Sequence, residues 1–180
     1  GNCYEFDILR TACDCIKRGG TRMFRKMRRF NQQITDEECI EVLKNTKRGV
    51  LSLIGDDGYP YGVPLVHWYC EEDGKIYFHG AKDGHKVDAI KSCDKACYTV
   101  YDADYREEGE WAIHFKSIIT FGRITLVEDE EKAKKICVAM VKKFTDDEEF
   151  LAKELKFFFP RVQCFELTPE HMTGKKVKEE

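Results

Sequence analysis

No stretch of the sequence approaches the roughly 18 uninterrupted apolar residues that a membrane-spanning helix needs. No N-terminal apolar run with a small-residue cleavage site is present either, so a soluble protein outside the secretory route is expected. The patterns G-x-S-x-G, H-E-x-x-H, the P-loop and G-x-G-x-x-G are all missing. Their absence removes the nucleophile-elbow hydrolases, the zincins, the P-loop NTPases and the dinucleotide-binding fold. Charge of one sign is scarce as well: the formal net charge is only -3, and nothing in the whole-chain balance asks for a polyanionic partner.

Cysteine is plentiful, but its spacing is uninformative. The nine cysteines are an odd number, and neither Cys13-x-Cys15 nor Cys93-x3-Cys97 is joined to a second pair at zinc-site spacing. Free thiols, mostly buried, in a reducing cytoplasm are the expectation. His67, His79 and Cys70 on neighbouring strands imitate a metal set, yet no carboxylate or thiolate completes it, so no metal is expected.

What remains is a chain of 180 residues, 42% hydrophobic, enough for one globular domain with its own core. Residues 1–33 stand apart as an N-terminal extension with eight Lys/Arg against three Asp/Glu. In it "MFRKMRRF" fits a surface helix or a loose arm; its length and the acidic remainder argue against nucleic acid. Gly1 in place of Met reads as a remnant of tag removal, with Met23 and Met27 as alternative starts. Residues 34–180 form the main domain.

Its elements follow from local chemistry. Thr35-x-x-Glu38 is a capping box that starts a helix burying Cys39, Ile40, Val42 and Leu43, with Gly49 as its stop. Three apolar runs separated by "GDDG" and "EEDG" read as hairpin strands, since Asp-Gly supplies the positive φ of tight reversals. Pro64 cannot donate to a ladder and belongs at an edge or bulge, leaving nearby backbone groups free for a planar heterocycle. A short helix "HKVDAIKSC", a strand "ACYTVYD" and an acidic loop follow. The stretch "WAIHFKSIITFGRITLVED" reads as further strands bent at Gly122, giving three or so after the short helix. Two helices come next, the second starting at Thr145-x-x-Glu148, then a strand "VQCFEL" and a polar tail. Short antiparallel connections favour a β-barrel with helices, an α+β chain that is mainly β.

One joint stands out. In "KIYFHGAKDGHKVDAI" a strand breaks and a helix begins, with Lys82, His85 and Lys86 set around Gly80 and Gly84. Unsatisfied amides and the positive dipole end of a helix suit a phosphate, and Lys86 adds a point charge. The same composition also serves a merely solvated turn. By strand alternation His79 shares a face with Tyr77, away from Ile76 and Phe78.

The ordered motifs V-P-L (Val63–Leu65), D-G-x-I-Y-F-H-x-A-x-x-G-x-K (Asp73–Lys86) and S-I-x-x-x-G (Ser117–Gly122) resemble the pyridoxamine 5'-phosphate oxidase-related flavoproteins, over about Met27 to Lys176. Within them the nitroimidazole-resistance, nitroimidazole reductase-like branch is the most similar. The resemblance implies a six-stranded antiparallel split β-barrel that forms a homodimer, with FMN in clefts at the subunit interface. FAD is a possible substitute, and haem is the alternative ligand of related barrels. It implies that Val63, Pro64, Leu65 and Val66 border the flavin ring and ribityl chain. His79, Gly80, Ala81, His85 and Lys86 then hold the ribityl-phosphate end, and Ser117 approaches from a facing strand. His79 is the one side chain nominated as a catalytic proton relay. The implied activity is electron transfer from a reduced nicotinamide or another donor to a small organic acceptor such as a nitro-aromatic. The rival is a flavin- or haem-binding module that stores, senses or degrades its ligand. The Arg and His pattern with which true pyridoxamine phosphate oxidases grip substrate is missing from "CFELTPEHMTGKKVKEE", which sets vitamin oxidation aside.

Overall fold

Local turn chemistry sets the first hairpin. Asp57 and Gly58 take left-handed backbone angles, φ 54° and 75°, as does Gly74 at 69°. The expected Asp-Gly reversals therefore sit between β2 (Arg48–Ile54) and β3 (Pro60–Val66), and between β4 (Trp68–Cys70) and β5 (Lys75–Ala81). The structure, a computed structural model, describes residues 24–179, so most of the basic extension lies outside the described residues. In "MFRKMRRF", residues 24–29 are not helical and Phe30 opens a single 3-10 turn, Phe30–Gln32; Phe24 stacks on His171 with centroids 4.8 Å apart.

The other elements are β1 (Gln33–Ile34), α1 (Asp36–Asn45), α2 (His85–Ser92), β6 (Lys95–Tyr101), β7 (Ile113–Val127), α3 (Glu130–Lys142), α4 (Glu148–Phe157) and β8 (Val162–Glu179). Every strand pairing is antiparallel, in the order β3-β2-β6-β7-β8-β5-β4, with β1 also on β8. β3 and β4 lie at opposite ends of that order, yet only His67 separates them in the chain. The sheet must therefore roll until its two ends meet at His67. Below that seam β4 pairs with β5 through Lys75, Ile76 and Tyr77; above it the free edge of β3 faces the rest of β5 without a ladder. This is a split β-barrel of six long strands with two short ones added, and four α-helices pack around it. No helix among the described residues is long and apolar enough to cross a membrane.

Inside the barrel Leu51, Phe78, Tyr98, Ile118, Ile124 and Phe165 are fully buried. Their packing supplies the main driving force, each large side chain contributing about 1.5–3 kcal/mol by leaving water. Pro64 is on the edge strand, as its missing N–H requires. The capping box is present: Thr35 Oγ1 accepts from the Glu38 amide at 3.2 Å, and Glu38 Oε2 from the Thr35 amide at 3.0 Å. Cys39, Val42 and Leu43 are the buried stripe of α1, while Ile40 is only half-buried.

Four expectations need correction. α1 ends at Asn45, where Thr46 Oγ1 donates to the Val42 carbonyl at 2.7 Å. Gly49 is instead a residue of β2, kept small because a Cβ there would lie 2.5 Å from the Thr99 carbonyl oxygen and 2.7 Å from the Tyr98 ring. The helix start assigned to Thr145 belongs to Asp147, whose carboxylate accepts from the Glu149 and Phe150 amides; Thr145 Oγ1 accepts from the Asp147 amide instead. "WAIHFKSIITFGRITLVED" holds one 15-residue strand, β7, so two strands and not three follow α2; its register shifts between Phe121 and Gly122, where the bend was expected. The polar tail is strand as well, because β8 pairs with β7 from Cys164 to Glu179.

The outer surface of the barrel has two parts. α3 covers β5 and the near halves of β7 and β8, and α4 packs on α3. Among the described residues no helix overlies the outward residues of β6 and central β7, which include Cys97, Thr99, Tyr101, Ser117, Ile119 and Phe121; Phe24 stacks on Phe121, centroids 5.6 Å apart. There Tyr101, Ile119 and Phe121 remain 66%, 41% and 40% exposed.

Candidate functional site

The joint between β5 and α2 has the character of an anion cradle. Gly84 is the N-cap of α2 with φ 104°, a backbone that any side chain would strain; its carbonyl oxygen accepts from the Val87 amide at 3.0 Å, and no side chain caps the helix. Lys86 turns back over the end of β5. A Cβ on Gly80 would stand 2.5 Å from Lys86 Nζ and 3.3 Å from the Phe165 ring, so only glycine leaves the ammonium its place. That ammonium lies 5.3 Å from the centre of the Phe165 ring. Burial pulls its pKa below the usual lysine range, and it has no hydrogen bond or ion pair among the described residues. His85 is stacked on Tyr61, centroids 4.0 Å apart and planes 18° from parallel, with Nε2 3.7 Å from an Asp56 carboxylate oxygen.

The β3 residues divide between two faces. Val63 and Leu65 pair with Leu51 and Gly49, and Leu65 packs on the core. Pro64 and Val66 point outward. Pro64 lies across from Val50, then Thr99, then Ile119, which puts Ser117 on the same outer face one alternation further along β7. Ala81 ends β5 exposed, beside the split. Side chains of Val63 and Leu65 therefore cannot border an outer ligand; only their backbone, on the free edge of β3, can do so.

His79 shares the outer side of β5 with Tyr77, as alternation requires, and meets α3 there: its Nδ1 is 2.6 Å from Met140 Sδ. Burial, aided by the Lys86 charge, lowers its pKa, while Glu154 opposes the shift. His79 and Val66 open onto a cavity of about 370 Å³ walled by α3 and α4. The ring thus faces this cavity and not the Gly84–Lys86 cradle, so the two halves of the expected set lie around a common edge without forming one cluster.

His67 is a different kind of histidine. It is wholly buried, with Nε2 2.7 Å from the Leu43 carbonyl oxygen and Nδ1 2.7 Å from the Tyr98 hydroxyl. Burial first, then the Lys143 charge, push its pKa down to about 4, so it is neutral at pH 7. It is a structural pin at the seam, with no ligand position open.

Several residues of the site were not singled out in the sequence. Tyr61, Phe165, Met140 and Glu154 reach it from four different elements, and no local pattern connects them. The alternation of "YPYGVP" places Tyr61 only on a face; its stacking on His85 is a long-range contact. Among the described residues, the one grouping with metal-ligand spacing is Glu107, Glu110 and His114, away from every residue discussed above. Lys176 and Lys178 already pair with its carboxylates, at 2.7 Å and 3.2 Å.

The chain is thus an antiparallel split barrel with a cationic helix start at its open edge. The comparisons go further: the profile described as pyridoxamine 5'-phosphate oxidase matches residues 35–176, most of the chain, and the chain belongs to that family. A candidate 5-nitroimidazole antibiotic resistance protein from Bacteroides thetaiotaomicron is similar at TM-score 0.67 and 19% identity, over 82% of this chain and 87% of that one. An FAD-binding protein from Mesorhizobium loti gives 0.57 at 21% identity, over 81% and 96%. An FAD- and haem-binding protein from Mycobacterium smegmatis gives 0.56 at 16% identity, over 80% and 72%. Identities this low establish the shared fold. A search of the curated proteins found no match.

Proposed function

We propose that the chain is a flavin-dependent oxidoreductase, homodimeric, with FMN as its cofactor and a small organic acceptor, a nitro-aromatic being the leading candidate. The observation that carries this reading is Lys86, an ammonium without an acceptor among the described residues, held over Gly80 beside the first amides of α2, which no side chain caps. A half-buried cation lacking a partner bears part of its desolvation cost unrelieved, and a dianionic phosphate would offset it through charge-assisted bonds. The residues therefore fit the phosphate end of such a cofactor.

Lys86 and the α2 amides would hold the phosphate, with His85 positioned by Tyr61 at its flank. The unpaired β3 edge at Val63–Val66 would offer backbone groups to the polar rim of the ring. Bound flavin supplies hydride and single-electron chemistry that protein side chains lack. Donors fixed near the ring favour its reduced, anionic form because they need no reorganisation. His79, half-buried, can hold or pass a proton at Nε2 while Nδ1 rests on Met140. The apolar face of β6 and β7, which no helix among the described residues covers and where Tyr101, Ile119 and Phe121 are exposed, suits a second copy of the chain, and the cofactor would lie between the two.

A second reading, a carrier or sensor of flavin or haem, is favoured by the FAD- and haem-binding neighbour of the same fold. A visible spectrum of the purified protein, with mass measurement of the chromophore released by denaturation, separates two broad flavin bands from a sharp haem band. Nicotinamide oxidation with and without a nitroimidazole then separates enzyme from carrier. A colourless protein that rejects added FMN would end both readings.

A further inference from the structure

The cavity beside His79 is left over once the cradle has been assigned. Its volume, about 370 Å³, is in the range of small-molecule sites, and its walls are mainly aromatic and aliphatic side chains of α3 and α4, including Phe144, Phe150 and Phe158. Apart from the Cys137 thiol, two ionisable side chains reach it, His79 and Glu154. The Glu154 carboxylate makes no hydrogen bond or ion pair among the described residues. His79 is a poor counter-charge for it, because burial and then the Lys86 charge lower the imidazole's pKa. An acceptor-only group in an apolar wall is satisfied by a donor that brings positive charge.

We infer that this cavity binds an aromatic molecule bearing a protonated amine, its ring against the phenylalanines of α3 and α4 and its ammonium on Glu154. The position of His79 and Val66 at the mouth links the cavity to the split edge, so an aromatic held there would reach the place assigned to the flavin. The ligand's role as electron acceptor rests on the flavin reading above; its binding does not.

Isothermal titration of the full chain at pH 7 with 2-naphthylmethylamine, 2-naphthylmethanol and 2-naphthylacetate tests this with one ring and three charges. The amine should bind about tenfold more tightly than the alcohol, and the acid least, as expected for one charge-assisted contact. Glu154→Gln should bring amine and alcohol to equal affinity. Leu155→Trp, which fills the cavity, should abolish binding of all three with flavin absorbance retained. Equal binding of the three probes by the parent protein, or a Glu154→Gln variant that keeps the preference, overturns the inference even if Leu155→Trp does not fold. Amine binding by a protein that takes no FMN would remove only the cofactor reading, and FMN uptake without charge preference would remove only this one.

Discussion

The seam at His67 and the joint at Gly80–Lys86 are built from the same residue types, histidine, lysine and tyrosine, and differ in how their polar groups are satisfied. At the seam every group finds a protein partner: Lys143 Nζ donates to the Thr46 and His67 carbonyl oxygens at 2.8 Å and 2.6 Å, and both His67 nitrogens are engaged. Lys143 is still pulled down to about 8, by burial and then by Lys47, because its acceptors are neutral. At the joint, among the described residues, the Lys86 ammonium has no acceptor and no side chain caps the first amides of α2. Groups that close a fold are saturated inside it, whereas groups that serve a ligand keep vacant positions.

This contrast can be broken most forcefully at the seam. His67→Ala removes two buried hydrogen bonds and leaves a void, and should lower unfolding free energy by about 3–4 kcal/mol in urea titrations, with FMN affinity per folded molecule unchanged. A loss below about 1 kcal/mol would mean that the two sheet ends are held elsewhere. The pH response should follow from the same ring. The unfolded chain takes a proton on His67 near the ordinary pKa, the folded chain only near 4. The stability is complete above the unfolded value and is lost as pH falls through the folded one, on the order of 3 kcal/mol in all. Urea midpoints of the parent protein and His67→Leu between pH 7 and 4 should show that extra slope in the parent alone.

At the joint, Lys86→Ala should weaken FMN by roughly 1.5–3 kcal/mol while riboflavin, which lacks the phosphate, binds parent and variant alike. Equal FMN affinity would remove the cradle. The smallest effect belongs to a place remote from both regions. Thr35→Ala removes the α1 cap and should cost about 1 kcal/mol of stability without touching FMN binding.

How much could be read beforehand depended on the range of the interaction responsible. The Thr35 capping box, the Asp-Gly turns, the edge position of Pro64 and the start of α2 at the Gly84 joint are settled within a few residues, and each is where local chemistry put it. The C-terminal end of α1 and the start of α4 were misplaced by competing local signals, Gly49 for a close approach to Tyr98 and Thr145 for the stronger cap at Asp147. β8 was missed over its polar half because Lys175, Lys176 and Lys178 hide a strand whose backbone is paired along β7. The candidate site divides likewise: Gly84, His85 and Lys86 were legible, whereas the turning of His79 toward α3 and the contribution of Glu154 were not.

By itself the chain's sequence determined where turns, caps and helix faces fall, since those depend on φ/ψ preferences and on periods of two and 3.6 residues. It also marked one strand-to-helix joint as cationic. Only the tertiary structure decided that the sheet ends meet at His67, that Lys86 folds back over Gly80, and that His79 opens onto a cavity shared with Glu154. The first and last of those join residues tens of positions apart, and Lys86 is set over Gly80 against Phe165 from a distant strand, so each is chosen by the whole core and by no local stretch.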